Sequence, residues 1–170
     1  MVKTKYELFN KLTQLNITFN NYDHEAAFTV DQAAVVAAMV PGKPTKNLFL
    51  KDNKKRLWLV SALAVTKIDL KELAKLIVAP GLRFAGEDLL LQHLGVLPGS
   101  VTPFGLINDK NKTVTILFDA ELFNEDVIGF HPLKNDATTV VHPNDLKKFV
   151  VNCGNTILVI DFKNMTINEN

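Results

Sequence analysis

The chain has 170 residues, 47% hydrophobic and 22% charged, with a formal net charge of +1 at pH 7, proportions that fit a globular chain with one buried core. No stretch reaches the roughly 18 consecutive apolar residues of a membrane span, and the opening Met1 to Glu7 lacks the apolar segment of a secretory signal, so a cytoplasmic protein without a membrane partner is expected. The single cysteine, Cys153, excludes an internal disulfide and a multi-cysteine zinc site.

Leu8, Phe9, Leu12 and Leu15 recur at helical spacing and predict an amphipathic helix over 4–15, followed by the β-leaning Ile17-Thr18-Phe19. Thr29 with Gln32 three residues on forms a capping box for an apolar helix from Asp31 to Met39, which Pro41, Gly42 and Pro44 stop. The apolar runs Asn47 to Leu50 and Leu57 to Ala62 flank Asp52-Asn53-Lys54-Lys55, the pattern of a hairpin. Asp69 and Glu72 repeat the capping pattern at the head of a helix running to about Val78, which Pro80-Gly81 terminate.

Glu87 to Leu94 is a second short helix, closed by Gly95, and a loop rich in Pro and Gly follows. Thr113 to Phe118 and Thr138 to Val141 read as strands, Asn144 to Val151 as a helix ended by Gly154, and Thr156 to Asp161 as a last strand. Helices and strands mix without strict βαβ alternation, which predicts an α+β fold around a mixed, largely antiparallel sheet. No repeat or Ser/Gly-rich linker divides the chain, so one domain is assigned to 1–163 and a polar tail to 164–170.

Charge is uneven. Lys43, Lys46, Lys51, Lys54, Lys55, Arg56, Lys67, Lys71 and Lys75 face only Asp52, Asp69 and Glu72 within 43–75, and such a segment either attracts a polyanion by counterion release or forms a solvated face. Lys46, at the entry of a strand, is either a clamp for a phosphate or carbonyl or a solvent-facing cation. Gly99-Ser100-Val101-Thr102-Pro103 is a turn in which Gly99 permits positive φ and Pro103 fixes the exit. Its amides and the hydroxyls of Ser100 and Thr102 either bind a carbonyl oxygen or belong to a plain connector. His131 follows the short run Val127-Ile128-Gly129-Phe130, which reads as a strand, and an imidazole at its end either orients a water or substrate hydroxyl or fills a loop. Phosphate-loop, nucleophile-elbow and zinc-helix patterns are absent, and four scattered histidines predict no catalytic metal. Cys153, late in an apolar helix, is expected to be inert packing.

Lys46-Asn47-Leu48-Phe49-Leu50, Leu82-Arg83-Phe84-Ala85, Leu94 through Leu106 and His131-Pro132-Leu133-Lys134-Asn135, in this order, resemble the free-standing prolyl-tRNA editing proteins, relatives of the editing insertion domain of bacterial prolyl-tRNA synthetase. The resemblance covers nearly the whole chain. It implies a single α+β domain with a mixed, barrel-like sheet packed by helices, and hydrolysis of the ester that joins a wrong amino acid, typically alanine, to proline tRNA. By position it makes Lys46 the essential lysine, Asn47 its companion, Gly99 to Pro103 the Gly-x-x-x-Pro loop and His131 the active-site histidine. In that reading Lys46, His131 and Gly99 are catalytic, and Asn47, Ser100, Val101, Thr102 and Pro103 bind substrate.

No cofactor is implied. The expected partners are the aminoacylated acceptor end of proline tRNA and, transiently, prolyl-tRNA synthetase, with the protein itself expected to be a monomer. The sequence departs from the pattern at Pro44, where many relatives carry a histidine. An aminoacyl ester is already activated toward water, so orientation and electrostatic help suffice without a nucleophilic triad. The alternatives are a non-catalytic module that senses aminoacyl-tRNA or an amino acid through the same pocket, and a hydrolase of small aminoacyl esters.

Overall fold

Capping chemistry sets most helix boundaries in the computed structural model, which describes residues 1–169. Helix α1 (Lys5–Gln14) opens at Thr4, whose hydroxyl accepts from the Glu7 amide while the Glu7 carboxylate accepts from the Thr4 amide, and it buries Leu8 and Leu12. Strand β1 (Phe19–Asp23) follows. Helix α2 (Val30–Met39) opens with the reciprocal Thr29–Gln32 box that the sequence predicts. Unlike α1, it buries none of its residues.

Strands β2 (Thr45–Lys51) and β3 (Leu57–Leu63) form the expected antiparallel hairpin. Helix α3 (Leu70–Leu76) is capped by the Asp69 carboxylate, the two-residue β4 (Arg83–Phe84) pairs with β2, and α4 (Glu87–Leu94) closes at Gly95 in the left-handed conformation. The loop expected after Gly95 contains a 3-10 helix, Pro103–Asn108, because Thr102 caps it from the side chain and Pro103 occupies its first turn. Strands β5 (Val114–Asp119), β6 (Ile128–Phe130) and β7 (Ala137–Val141), helix α5 (Pro143–Cys153) and strand β8 (Ile157–Asp161) complete the expected order. The polar stretch after 163 contains a short exposed strand, β9 (Thr166–Asn168), paired antiparallel with β8.

The fold is mixed α+β, with two sheets among the described residues. The larger has the order β4-β2-β3-β5-β8-β9 and the smaller β1-β7-β6. Pairing is antiparallel except for β3–β5 and β5–β8. The expected barrel-like closure is corrected here: both sheets stay open, since the large one ends in the two-residue β4 and the three-residue β9, which do not pair with each other. A barrel requires its edge strands to complete the hydrogen-bonded ring.

The central strand β3 is buried along its whole length, as expected for a strand covered on both faces. Leu57, Leu59 and Leu63 point into the main core with Phe49, Phe104, Phe118 and Phe149, while Trp58 and Val60 point into a second core with Leu50, Leu73 and Ile77. The two sheets meet where Lys43 bridges to Ile128 and the Thr45 hydroxyl donates to the Gly129 carbonyl at 2.7 Å.

Candidate active site

A cavity of about 190 Å³ lies at that junction. Helix α2 supplies one wall through Ala33, Val36, Ala37 and Val40, which recur every three to four residues along one side. The turn Pro41-Gly42-Lys43-Pro44 rounds its end, Thr45 and Asn47 face it from β2, and Gly129, Phe130, His131, Asn135 and Thr138 close it from the small sheet. Glycine at 129 is needed for this closeness, because a Cβ there would come within 2.8 Å of the Thr138 methyl. Lys43 is tied to Glu125 at 2.7 Å.

His131 is held by one ring nitrogen. Its Nδ1 lies 3.0 Å from the Ala137 carbonyl, which can only accept, so Nδ1 carries the proton and Nε2 keeps a lone pair in the neutral ring. Burial pushes the His131 pKa below 6.5, the hydrogen bond to Ala137 opposes that shift, and the neighbouring His24 adds to it. The two imidazoles meet edge-on with centroids 6.3 Å apart. His24 donates from Nδ1 to the Glu25 carbonyl and receives the Thr138 hydroxyl at Nε2, both at 2.8 Å. A neutral imidazole with a vacant nitrogen can accept a proton at neutral pH.

Two asparagines complete the polar set. The Oδ1 of Asn47 accepts from the buried Ser61 hydroxyl at 2.6 Å, which leaves its amide nitrogen as a donor. The amide nitrogen of Asn135 donates to the Ala27 carbonyl at 3.0 Å, and its own Oδ1 is buried with no partner among the described residues. The Ala27 bond decides which way this amide faces, since a carbonyl cannot donate.

The residues singled out from the sequence fall into three groups. His131 and Asn47 are in the cavity wall. Gly99, at φ 85°, sits beside it: a Cβ there would lie 3.9 Å from the Asn135 amide nitrogen and from the Phe28 ring. The rest of that loop turns inward. The Ser100 amide is spent on the Leu97 carbonyl, Thr102 is fully buried and caps Phe104, Val101 packs against the main core, and Pro103 is buried.

Lys46 stands apart. It pairs with Ala62 while Asn47 pairs with Ser61, and side chains alternate along a strand, so Lys46 leaves β2 on the face opposite Thr45 and Asn47. Its ammonium donates to the Thr66 carbonyl. Asn135, Thr138, Thr45 and His24 were not singled out as site residues from the sequence. Asn135 lies in the quoted His131–Asn135 stretch, and the small-residue stripe of α2 is visible in its spacing, but no local pattern ties His24 to Thr138, which are 114 positions apart.

Cys153 is half-buried, and burial pushes its thiol up to about 11. The native protein is therefore expected to resist iodoacetamide at pH 8 while the urea-unfolded chain reacts within minutes, because only the thiolate attacks. Equal alkylation rates in the two states would contradict this.

A sequence-family model for the aminoacyl-tRNA editing domain matches residues 24–149. The chain is 37% identical over 163 residues to the prolyl-tRNA synthetase associated domain-containing protein 1 of Danio rerio, covering 95% of this chain and 89% of the relative. It is 36% identical over 158 residues to the prolyl-tRNA editing protein ProX of Acetoanaerobium sticklandii, covering 92% of this chain and 96% of that protein. A solved structure described as a putative trans-editing enzyme for prolyl tRNA synthetase superposes over the full length of both chains with a TM-score of 0.69 at 17% identity, a likeness of fold.

Proposed function

The chain belongs to the aminoacyl-tRNA editing domain family, and from that premise we propose that it is a trans-editing hydrolase that cleaves the ester of mischarged proline tRNA, with alanine as the main amino acid released. The observation that carries this reading is the pairing of a small cavity with a neutral His131 in its wall, one nitrogen fixed by Ala137 and the other holding a lone pair.

In this reading the aminoacyl group enters the hollow between α2 and the small sheet. His131, through Nε2, takes a proton from the attacking water or from the ribose hydroxyl that positions it. The free amide hydrogens of Asn47 steady the ester oxygens as charge builds on them. Gly99 lets its loop lie close to Asn135 without a side chain intervening, and the inward-turned Ser100, Val101, Thr102 and Pro103 brace that loop. Lys46, outside the wall, keeps two ammonium hydrogens for an anionic oxygen of the tRNA backbone. Prolyl-tRNA synthetase, which releases the mischarged tRNA, is a transient partner.

The test is deacylation of proline tRNA carrying either alanine or proline by the purified protein. Rapid loss of the alanyl ester with survival of the prolyl ester is expected, and an alanyl ester that persists at high protein concentration ends the proposal. Size selection predicts a further result. Ala37→Leu adds bulk to the α2 wall, and its kcat/KM on the alanyl ester is expected to fall at least about tenfold, since a few methylenes in such a hollow are worth on the order of 1–3 kcal/mol each. Unchanged kinetics for Ala37→Leu would place the substrate elsewhere.

A further inference from the structure

Asp119, at the end of β5, is almost wholly buried at 1% exposure. A carboxylate taken from water needs donors around it. Its Oδ2 accepts from the Leu63 amide at 3.2 Å and from the Thr66 hydroxyl, and its Oδ1 accepts from the Glu121 amide at 3.1 Å. Both the Glu121 and Leu63 bonds are to the backbone: the first fixes the turn after β5, and the second ties the end of β5 to the end of β3 across 56 positions. The Thr66 bond is of another kind, because the carbonyl of the same residue receives the Lys46 ammonium. Thr66 is thus held at its side chain by a buried anion and holds the lysine at its backbone.

We infer that Asp119 and Thr66 are positioning residues for Lys46, fixing its ammonium at one point on the rim of the β2–β3 hairpin, where it meets an anionic phosphate oxygen of the bound acceptor end. This inference rests on the proposed deacylation and on the part given there to Lys46. A lysine is a point charge on a four-carbon stem with many rotamers, so it gains orientation only from a fixed acceptor. The segment carrying that acceptor, between β3 and α3, is anchored by the Thr66 amide on the Leu63 carbonyl, by the Ala64 amide on the Pro44 carbonyl, and by Asp119. Only the last of these grips the Thr66 side chain, and it is the one that a substitution can remove without touching the backbone.

The experiment uses the full chain in three variants, with Lys46→Ala as a fourth that identifies the ammonium signal. Thr66→Ala removes the hydroxyl and keeps the backbone, Thr66→Ser restores the hydroxyl, and Asp119→Ala removes the acceptor of the Thr66 hydroxyl. Thr66→Ala is expected to raise KM for alanylated proline tRNA about tenfold with kcat changed less, the mark of a lost binding contact, while Thr66→Ser stays within about twofold of the parent and Asp119→Ala follows Thr66→Ala. In lysine-15N-labelled protein the hydrogen-bonded Lys46 ammonium, identified by its absence in Lys46→Ala, should give a slowly exchanging signal in the parent and Thr66→Ser that disappears in Thr66→Ala. Wild-type KM in Thr66→Ala overturns the inference. So does an ammonium signal that survives in Thr66→Ala, a readout that decides the matter even if the parent protein deacylates nothing; that last result would defeat the proposed function instead. If Asp119→Ala fails to fold, the Thr66 pair decides alone.

Discussion

Replacing His131 by alanine is expected to lower kcat on the alanyl ester by about 10²–10⁴-fold, the usual contribution of a positioned proton acceptor. The melting temperature should move little, because the ring makes one hydrogen bond, to Ala137. The pH profile tests the same point from another side. His131 titrates below the ordinary 6.5 because it is buried and beside His24, so wild-type activity should hold level at neutral pH and fall only as acid protonates Nε2 below that value. Stability follows the same sign. The folded protein takes up this proton less readily than the unfolded chain, so the contribution of neutral His131 is complete above pH 6.5 and is lost as pH drops from there through the folded pKa. An alanine variant with full activity, or wild-type activity that increases as the pH is lowered from 6.5, would remove His131 from the reaction.

The largest effect on stability is expected from Phe104→Ala. Phe104 is fully buried and meets Phe130 and Phe149 edge-on with ring centroids 6.2 and 5.5 Å away, so its removal leaves a hole where three rings converge. Truncations of this kind cost about 3–5 kcal/mol, a large part of the roughly 5–15 kcal/mol that holds a typical domain together. For a chain of this size that corresponds to a fall in melting temperature on the order of 10 °C. Urea unfolding should show the loss, and a change of less than about 1 kcal/mol would mean that the site collapses around the gap. Activity is expected to suffer too, because Phe130 precedes His131 and itself lines the cavity.

Elements with local chemical signatures were legible in the sequence. The Thr29–Gln32 box, the Gly95 and Gly154 stops and the β2–β3 hairpin appear as read, since caps and turns depend on residues a few positions apart. What depends on long-range pairing was not. Nothing near β1 announces that Phe19–Asp23 will pair with Ala137–Val141, and the parallel registers of β3, β5 and β8 have no local cue. The site divides in the same way. His131 could be singled out from its own segment and Asn47 through the resemblance, whereas the Thr138–His24 bond and the Asp119–Thr66 bond, which spans 53 positions, exist only once the sheets have formed. Even the direction of Lys46 needed the strand register, which sends it away from the face that Asn47 occupies.

The pairing of β1 with β7 has a consequence during synthesis. The hollow draws its walls from Ala27 at one extreme and Thr138 at the other, and the small sheet that carries His131 is incomplete until Val141 has joined Phe19. A nascent chain leaving the ribosome amino end first must therefore hold its early segments unpaired until most of its length has emerged. Chains released early, anywhere before β7, would be inert and would leave the backbone edge of β1 that β7 covers open to their neighbours.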